Sequence, residues 1–191
     1  MNFLKKWINC MVLGITGVLG LLLSLCSGMK THASAMGQTL LKSTVKAHEV
    51  VTDGSLVTEA KRLGVSSEFG LLKAFSIIGV IVSIILVIYA IVLLLKNLNV
   101  IKCENKAFDI VSLVLPVLTL VVMIAVLICS IVYANALKEV LPTSLSHIAS
   151  IPVNVITLSI KIGLYQPIML AISIIAVIII GTFAFLKAKK G

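Results

Sequence analysis

The chain has 191 residues, of which 60% are hydrophobic, 12% charged and 5% aromatic, with a mean hydropathy of +1.20. Soluble domains carry about 25% charged and about 45–50% apolar residues, so about half the charge needed to coat a water-facing surface is missing and the composition is that of a membrane protein. It excludes a soluble enzyme, a disordered tail and a nucleic-acid-binding domain; the formal charge of +9, from 16 Lys+Arg against 7 Asp+Glu, belongs to topology instead.

Spans are read from charge spacing, because one charged side chain at a bilayer centre costs about 2.5–3.5 kcal/mol. The first uncharged interval, 23 residues between Lys6 and Lys30, exceeds the roughly 20 that cross a hydrocarbon core of about 30 Å, and it predicts a helix over about 7–27. Gly14, Gly17 and Gly20, followed by Ser24 and Gly28, give this segment a stripe of small residues on which a neighbouring helix can pack closely; Thr16, Gly20, Ser24 and Gly28 fall at spacing four. A second reading stands beside the retained helix: Lys5-Lys6, the apolar run and Ala33-Ser34-Ala35 have the three parts of a cleavable signal peptide, although the run exceeds the usual 7–15 residues.

The connection over about 28–70 is polar. Asp53-Gly54 between Glu49-Val50-Val51-Thr52 and Ser55-Leu56-Val57-Thr58 is a strong hairpin signal. The rival is a pair of helices, with Leu41, Val45 and His48 on one and Leu56, Ala60 and Leu63 on the other, stopped by Gly64. Both readings stay open.

Twenty-two uncharged residues between Lys73 and Lys96 predict a second span over about 71–95, in which Gly79 and Ser83 repeat the small-residue pattern. A short inner connection over about 96–107 leads to a third span over about 108–137, built on the 28 uncharged residues between Asp109 and Lys138. Asp109 suits the positive end of that helix. Pro116 frees a carbonyl four residues earlier and predicts a kink, with Ser112 and Thr119 at hand to satisfy it. Trp7, Tyr89, Tyr133 and Tyr165 suit interfacial belts.

The outer connection over about 138–164 includes the uncharged interval Val140–Ile160, which holds Pro142, Pro152, His147, Asn154 and several hydroxyl side chains. Its prolines argue against a fifth span, and a surface-lying or re-entrant segment is expected, with Ser144, Ser146 and His147 as possible pore or loop contacts. Further on, Ile156, Leu158, Ile160 and Ile162 alternate with Thr157, Ser159 and Lys161, the period of a strand. The 25 uncharged residues between Lys161 and Lys187 give a fourth span over about 165–186, with Pro167 harmless in its first turn.

Eight lysines concentrate in the short segments Met1–Lys6, Lys96–Ala107 and Lys187–Gly191, which the positive-inside rule places in the cytoplasm with both termini. The expectation is a single all-α domain, a four-helix transmembrane bundle with a small extracytoplasmic cap, in a plasma or cytoplasmic membrane. This layout, with a longer first and shorter second outer loop, resembles that of the claudin and peripheral-myelin group of tetraspan proteins. Those carry a tryptophan and a cysteine pair in the first outer loop, where Gly28–Gly70 has neither, so the resemblance implies layout and no function.

Motifs for nucleophilic, phosphate-loop and zinc-protease chemistry are absent, and no Asp, Glu, Lys, Arg or His falls inside the four charge-free intervals that define the spans. His32, His48 and His147 share no compact ligand spacing, and no metal or other cofactor is expected. The cysteines, Cys10, Cys26, Cys103 and Cys129, sit in apolar runs or a short Lys-rich connection, and no disulfide framework is expected. The functional expectation is a non-enzymatic subunit, scaffold or regulator in contact with lipid and with a second copy or a membrane-protein partner, not with nucleic acid. The alternative is an oligomeric pore or small transporter subunit lined by residues 140–160.

Overall fold

The computed structural model describes residues 2–101 and 105–188, with side chains at 7–26, 28–101 and 108–186. Lys102, Cys103, Lys189 and Lys190 lie outside the described residues, and Lys5, Lys6, Lys106 and Lys187 outside the described side chains. The elements in chain order are α1 (Asn2–Leu23), β1 (Ser27–Ala35), β2 (Gln38–Lys46), α2 (Ala47–Thr52), α3 (Gly54–Arg62), α4 (Ser66–Asn97), α5 (Asn105–Ala149), β3 (Ile156–Ile162) and α6 (Tyr165–Ala188). The chain is mostly helical, and it adds a three-stranded sheet that an all-α fold does not include. Among the described residues three helices are long and apolar enough to cross a membrane, Ser66–Asn97, Phe108–Ala149 and Tyr165–Leu186, and Trp7–Leu23 is a shorter apolar helix.

Contacts divide the chain into two compact units. The first comprises Met1–Leu23, Ile78–Ile124 and Ile168–Gly191. Here α1 lies directly on α4. A Cβ placed on Gly17 would stand 2.8 Å from Val87 Cγ2, 2.9 Å from the Ser83 carbonyl oxygen and 3.0 Å from Leu86 Cβ. One on Gly20 would stand 2.5 Å from Ser83 Oγ and 3.1 Å from Met169 Cε, while Gly14 has 3.4 Å to Ala90 Cβ. The Cys10 thiol donates to the Ala90 carbonyl at 3.1 Å. The helix ends at Leu23 and not near residue 27, so Ser24 and Gly28 leave the stripe. Buried hydroxyls are satisfied within their own helices: Thr16 donates to the Val12 carbonyl, Ser83 to Gly79 and Ser173 to Met169.

The end of α4 and the start of α5 meet through Tyr89, whose hydroxyl donates to the Phe108 carbonyl at 2.8 Å. Their rings stack at 5.9 Å, and the Lys96 ammonium stands 3.9 Å above the Phe108 ring, a cation–π contact. Around Pro116 the hydroxyls take other partners than the freed carbonyl: Thr119 donates to the Leu115 carbonyl at 2.8 Å, and Ser112 Oγ lies 3.3 Å from the Tyr89 hydroxyl.

Helix α5 is 45 residues long, about 68 Å at 1.5 Å per residue. It does not end near residue 137 as charge spacing places it. It runs through Lys138, Glu139 and Pro142 to Ala149, and a 3₁₀ turn at Val153–Val155 leads into β3. Residues 140–160 are therefore the last turns of a helix, a short link and most of a strand.

The second unit comprises Ser24–Ile77 and Ala125–Pro167. Its sheet has the order β2-β1-β3, antiparallel throughout, with β1 in the centre. The β1–β2 turn is Met36-Gly37, with φ of 50° and 77°, a two-residue connection of the type whose twist matches a hairpin. Asp53-Gly54 is not a hairpin turn. Asp53 caps α3, accepting from the Ser55 N–H at 2.8 Å, and its own N–H donates to the Glu49 carbonyl that closes α2. The Lys46 N–H donates to Glu49 Oε2 at 2.7 Å at the start of α2. Helix α3 stops at Gly64, φ 75°, with the Val65 N–H returning to the Ala60 carbonyl, as the helix reading has it; Leu41 and Val45, assigned to a helix in that reading, belong to β2.

Candidate functional site

The sheet joins residues of the first connection to residues of the second. Alternation along each strand gives it two chemically distinct faces. One carries Met29, Thr31, Ala33 and Ala35 of β1, all buried, aligned with Ile162, Ile160, Leu158 and Ile156 of β3 and with Val45, Ser43 and Leu41 of β2 for the first three. The other carries Lys30, His32 and Ser34. Lys30 lies between Thr44 and Lys161, His32 between Lys42 and Ser159, and Ser34 between Thr39 and Thr157. Lys30, His32, Lys42 and Lys161 are exposed, as is Lys46 further along β2.

Behind the buried face is a cavity of about 30 Å³ lined by Gly28, Val45, Val50, Phe69, Tyr133 and Gln166 among others. Gln166 is 5% exposed; its Nε2 donates to Ser130 Oγ at 3.2 Å, and Ser130 passes its own proton to the Val126 carbonyl. The Gln166 Oε1 atom is buried without a hydrogen-bond partner. The volume and polarity suit a water molecule and are too small for an organic substrate. Tyr133 and Tyr165 are buried, at 8% and 4% exposure, Tyr133 against Phe69 at 5.4 Å between centroids.

The residues singled out by sequence fall in several places. Gly14, Gly17, Gly20, Gly79 and Ser83 lie in the first unit; Ser24 and Gly28 lie in the second. Gly28 belongs to β1, where an added Cβ would meet the Ala47 backbone at 3.1 Å and where its carbonyl accepts from the Gly163 N–H. Ser144, Ser146 and His147 are on the last turns of α5, with Ser144 donating to the Val140 carbonyl at 3.2 Å and the Ser146 carbonyl accepting from Ile151. His32 is on the sheet's exposed face and His48 is on α2, its Nδ1 3.3 Å from the Ser24 carbonyl. Among the described residues no group of three or more His, Cys, Asp or Glu is placed to hold a metal ion. Hydrogen bonds from Ser55 hold the Asp53 carboxyl below its ordinary range; the effect is a cap at a helix start.

Sequence reasoning missed the exposed cationic sheet face because β1 and β2 were not read as strands. The alternation Met29-Lys30-Thr31-His32-Ala33-Ser34-Ala35 carries the signal once Met36-Gly37 is accepted as a turn. Comparison with protein-family models, curated proteins and solved structures finds no match.

Proposed function

We propose that the chain is a four-pass integral membrane protein, non-enzymatic, acting as a subunit, scaffold or regulator whose working surface is the sheet-bearing unit. In this reading α1 joins the three long apolar helices as the fourth crossing, both termini are cytoplasmic, and the β2-β1-β3 sheet with α2 and α3 presents a folded surface outside the bilayer to a second copy or a membrane partner. The observation that carries it is the pairing of β1 with both β2 and β3: strands from two separate connections make one ordered sheet, the device of a recognition surface and more than two short linkers need.

The same pairing supports retention of α1. Ala33-Ser34-Ala35 is the end of the central strand, with Ala33 fully buried, and cleavage after it would remove the strand that joins the other two. Two measurements test the reading. Intact mass of the membrane-extracted protein is expected to include residues 1–35, and a mass beginning at Met36 overturns retention. A membrane-impermeant thiol reagent on intact cells is expected to label cysteines placed at Ser43 and Ser146 and not at Asn105; labelling at Asn105 overturns the topology. Blue-native gels after mild detergent extraction are expected to show an assembly larger than the monomer, and a monodisperse monomer that co-purifies with nothing refutes the subunit role.

A further inference from the structure

We propose that the exposed face of the β2-β1-β3 sheet binds a flexible phosphate polymer dissolved in the aqueous phase. Three observations converge on it. First, the face is basic in a way the fold does not need: the Lys30 and Lys161 ammonium groups stand directly opposite each other, and Lys42 lies across from the His32 ring. Like charges at directly opposed positions destabilise a sheet. None of the three strands contains an acidic residue, and none of Lys30, Lys42, Lys46 and Lys161 is ion-paired with a described carboxylate. An anion from outside the chain relieves this repulsion.

Second, the residues between the cations are hydroxyls, Ser34, Thr44, Thr157 and Ser159, which donate to phosphate oxygens. Lysine ammonium groups bind phosphate as point charges without a fixed fork geometry, which suits a polymer of no single conformation. Third, none of the three strands carries Phe, Tyr or Trp; His32 is the single ring on this face and Leu40, at the irregularity in β2, the single large apolar side chain that can reach it. One imidazole is a poor stacking platform for successive bases of a single-stranded nucleic acid and one leucine a poor apolar wedge for lipid, which favours a soluble polymer over either. The inference does not depend on which side of the membrane the sheet faces, nor on the number of crossings.

The test uses the full chain in phosphatidylcholine nanodiscs and fluorescent inorganic polyphosphate, titrated from 50 to 200 mM salt. The sheet variant Lys30→Gln/Lys42→Gln/Lys161→Gln is compared with Lys61→Gln/Arg62→Gln/Lys138→Gln, which removes the same charge from exposed helical positions. Each neutralised phosphate adds about 0.7 to the slope of log affinity against log salt. Losing three contacts thus lowers the slope by about 2, so that over this fourfold salt range the wild-type affinity falls about 16-fold more than the sheet variant's. The expected result is weakened binding and a reduced slope for the sheet variant, wild-type binding for the helical variant, and retained binding for Lys30→Arg/Lys42→Arg/Lys161→Arg. If the glutamine triple does not fold, Lys42→Gln alone on the edge strand carries the test, with a slope change of about 0.7. Absence of polyphosphate binding by the wild type, equal loss in the helical variant, equal or tighter binding of polyglutamate, or preference for phosphatidylglycerol vesicles each overturns the proposal.

Discussion

Replacing Gly17 by alanine adds one methyl group at the tightest point between α1 and α4. The new Cβ would lie 2.9 Å from the Ser83 carbonyl oxygen and 2.8 and 3.0 Å from Val87 and Leu86 atoms, which is 0.5–0.7 Å inside the roughly 3.5 Å at which heavy-atom contacts begin to be favourable. The obstructing oxygen is backbone, so no rotamer change relieves it and the helices must part. Overpacking of this kind costs about 1–3 kcal/mol. Gly181 is the internal control: an added Cβ there meets nothing within 4 Å, and alanine is favoured over glycine in a helix by about 0.8–1.0 kcal/mol. That gain is common to both sites and cancels between them, so Gly17→Ala and Gly181→Ala should differ by the overpacking cost of about 1–3 kcal/mol in reversible unfolding in mixed dodecyl-maltoside and SDS micelles. Gly20→Ala meets the Ser83 hydroxyl at 2.5 Å, which can turn away by giving up its bond to the Gly79 carbonyl, so Ser83→Ala in the Gly20→Ala background should recover part of the loss. Equal stabilities for Gly17→Ala and Gly181→Ala would refute the packing argument.

The remaining predictions concern the second unit. Met36 holds a left-handed conformation, φ 50°, that side chains other than Asn and Gly adopt at a cost of roughly 1–2 kcal/mol; Met36→Asn should raise the melting temperature, and a fall would place the turn elsewhere. Cysteines at Ser34 and Thr157, directly paired across β1 and β3, should oxidise to a disulfide, whereas Ser34 with Ser159 should not; the reverse preference, read on non-reducing gels, would mean a different register. Ser130→Ala strands the buried Gln166 amide and should cost about 1–3 kcal/mol, while Gln166→Leu, which also removes the unpartnered Oε1 atom, should be nearly neutral in the same thermal melts. Because the folded Asp53 carboxyl lies below its ordinary range, its capping contribution is present above the unfolded value of about 3.9 and is lost as pH falls through the folded one. The protection of Gly54–Arg62 against hydrogen exchange, taken relative to the intrinsic rate at each pH, should fall on acidification in the wild type and be low at every pH in Asp53→Ala; protection that ignores this substitution would show that Asp53 does not hold the helix start.

Charge spacing alone located the apolar helices, because the cost of burying a charge in hydrocarbon is local and leaves its mark directly in the sequence. The strand over 156–162 was legible for a similar reason: strict alternation of isoleucine and leucine with Thr157, Ser159 and Lys161 is a local pattern. Asp53-Gly54 shows where local signals run out. Aspartate before glycine serves a tight turn and a helix cap equally well, and the choice depends on Glu49, Ser55 and the helices that they begin and end. Met36-Gly37 shows the converse, since methionine is a poor residue for φ above zero and only the pairing of the flanking strands holds it there. The end of α5 was misread because Lys138 was taken as the limit of the third span, whereas a helix can continue past the charge that closes its apolar run, here through Lys138, Glu139 and Pro142 to Ala149. The sequence by itself thus determined which segments are apolar enough for a membrane and where alternation makes a strand. Only the tertiary structure decided that β1 sits between β2 and β3, placing Lys30, His32, Lys42 and Lys161 on one face, because strand pairing joins residues more than a hundred positions apart and no local pattern encodes its partner.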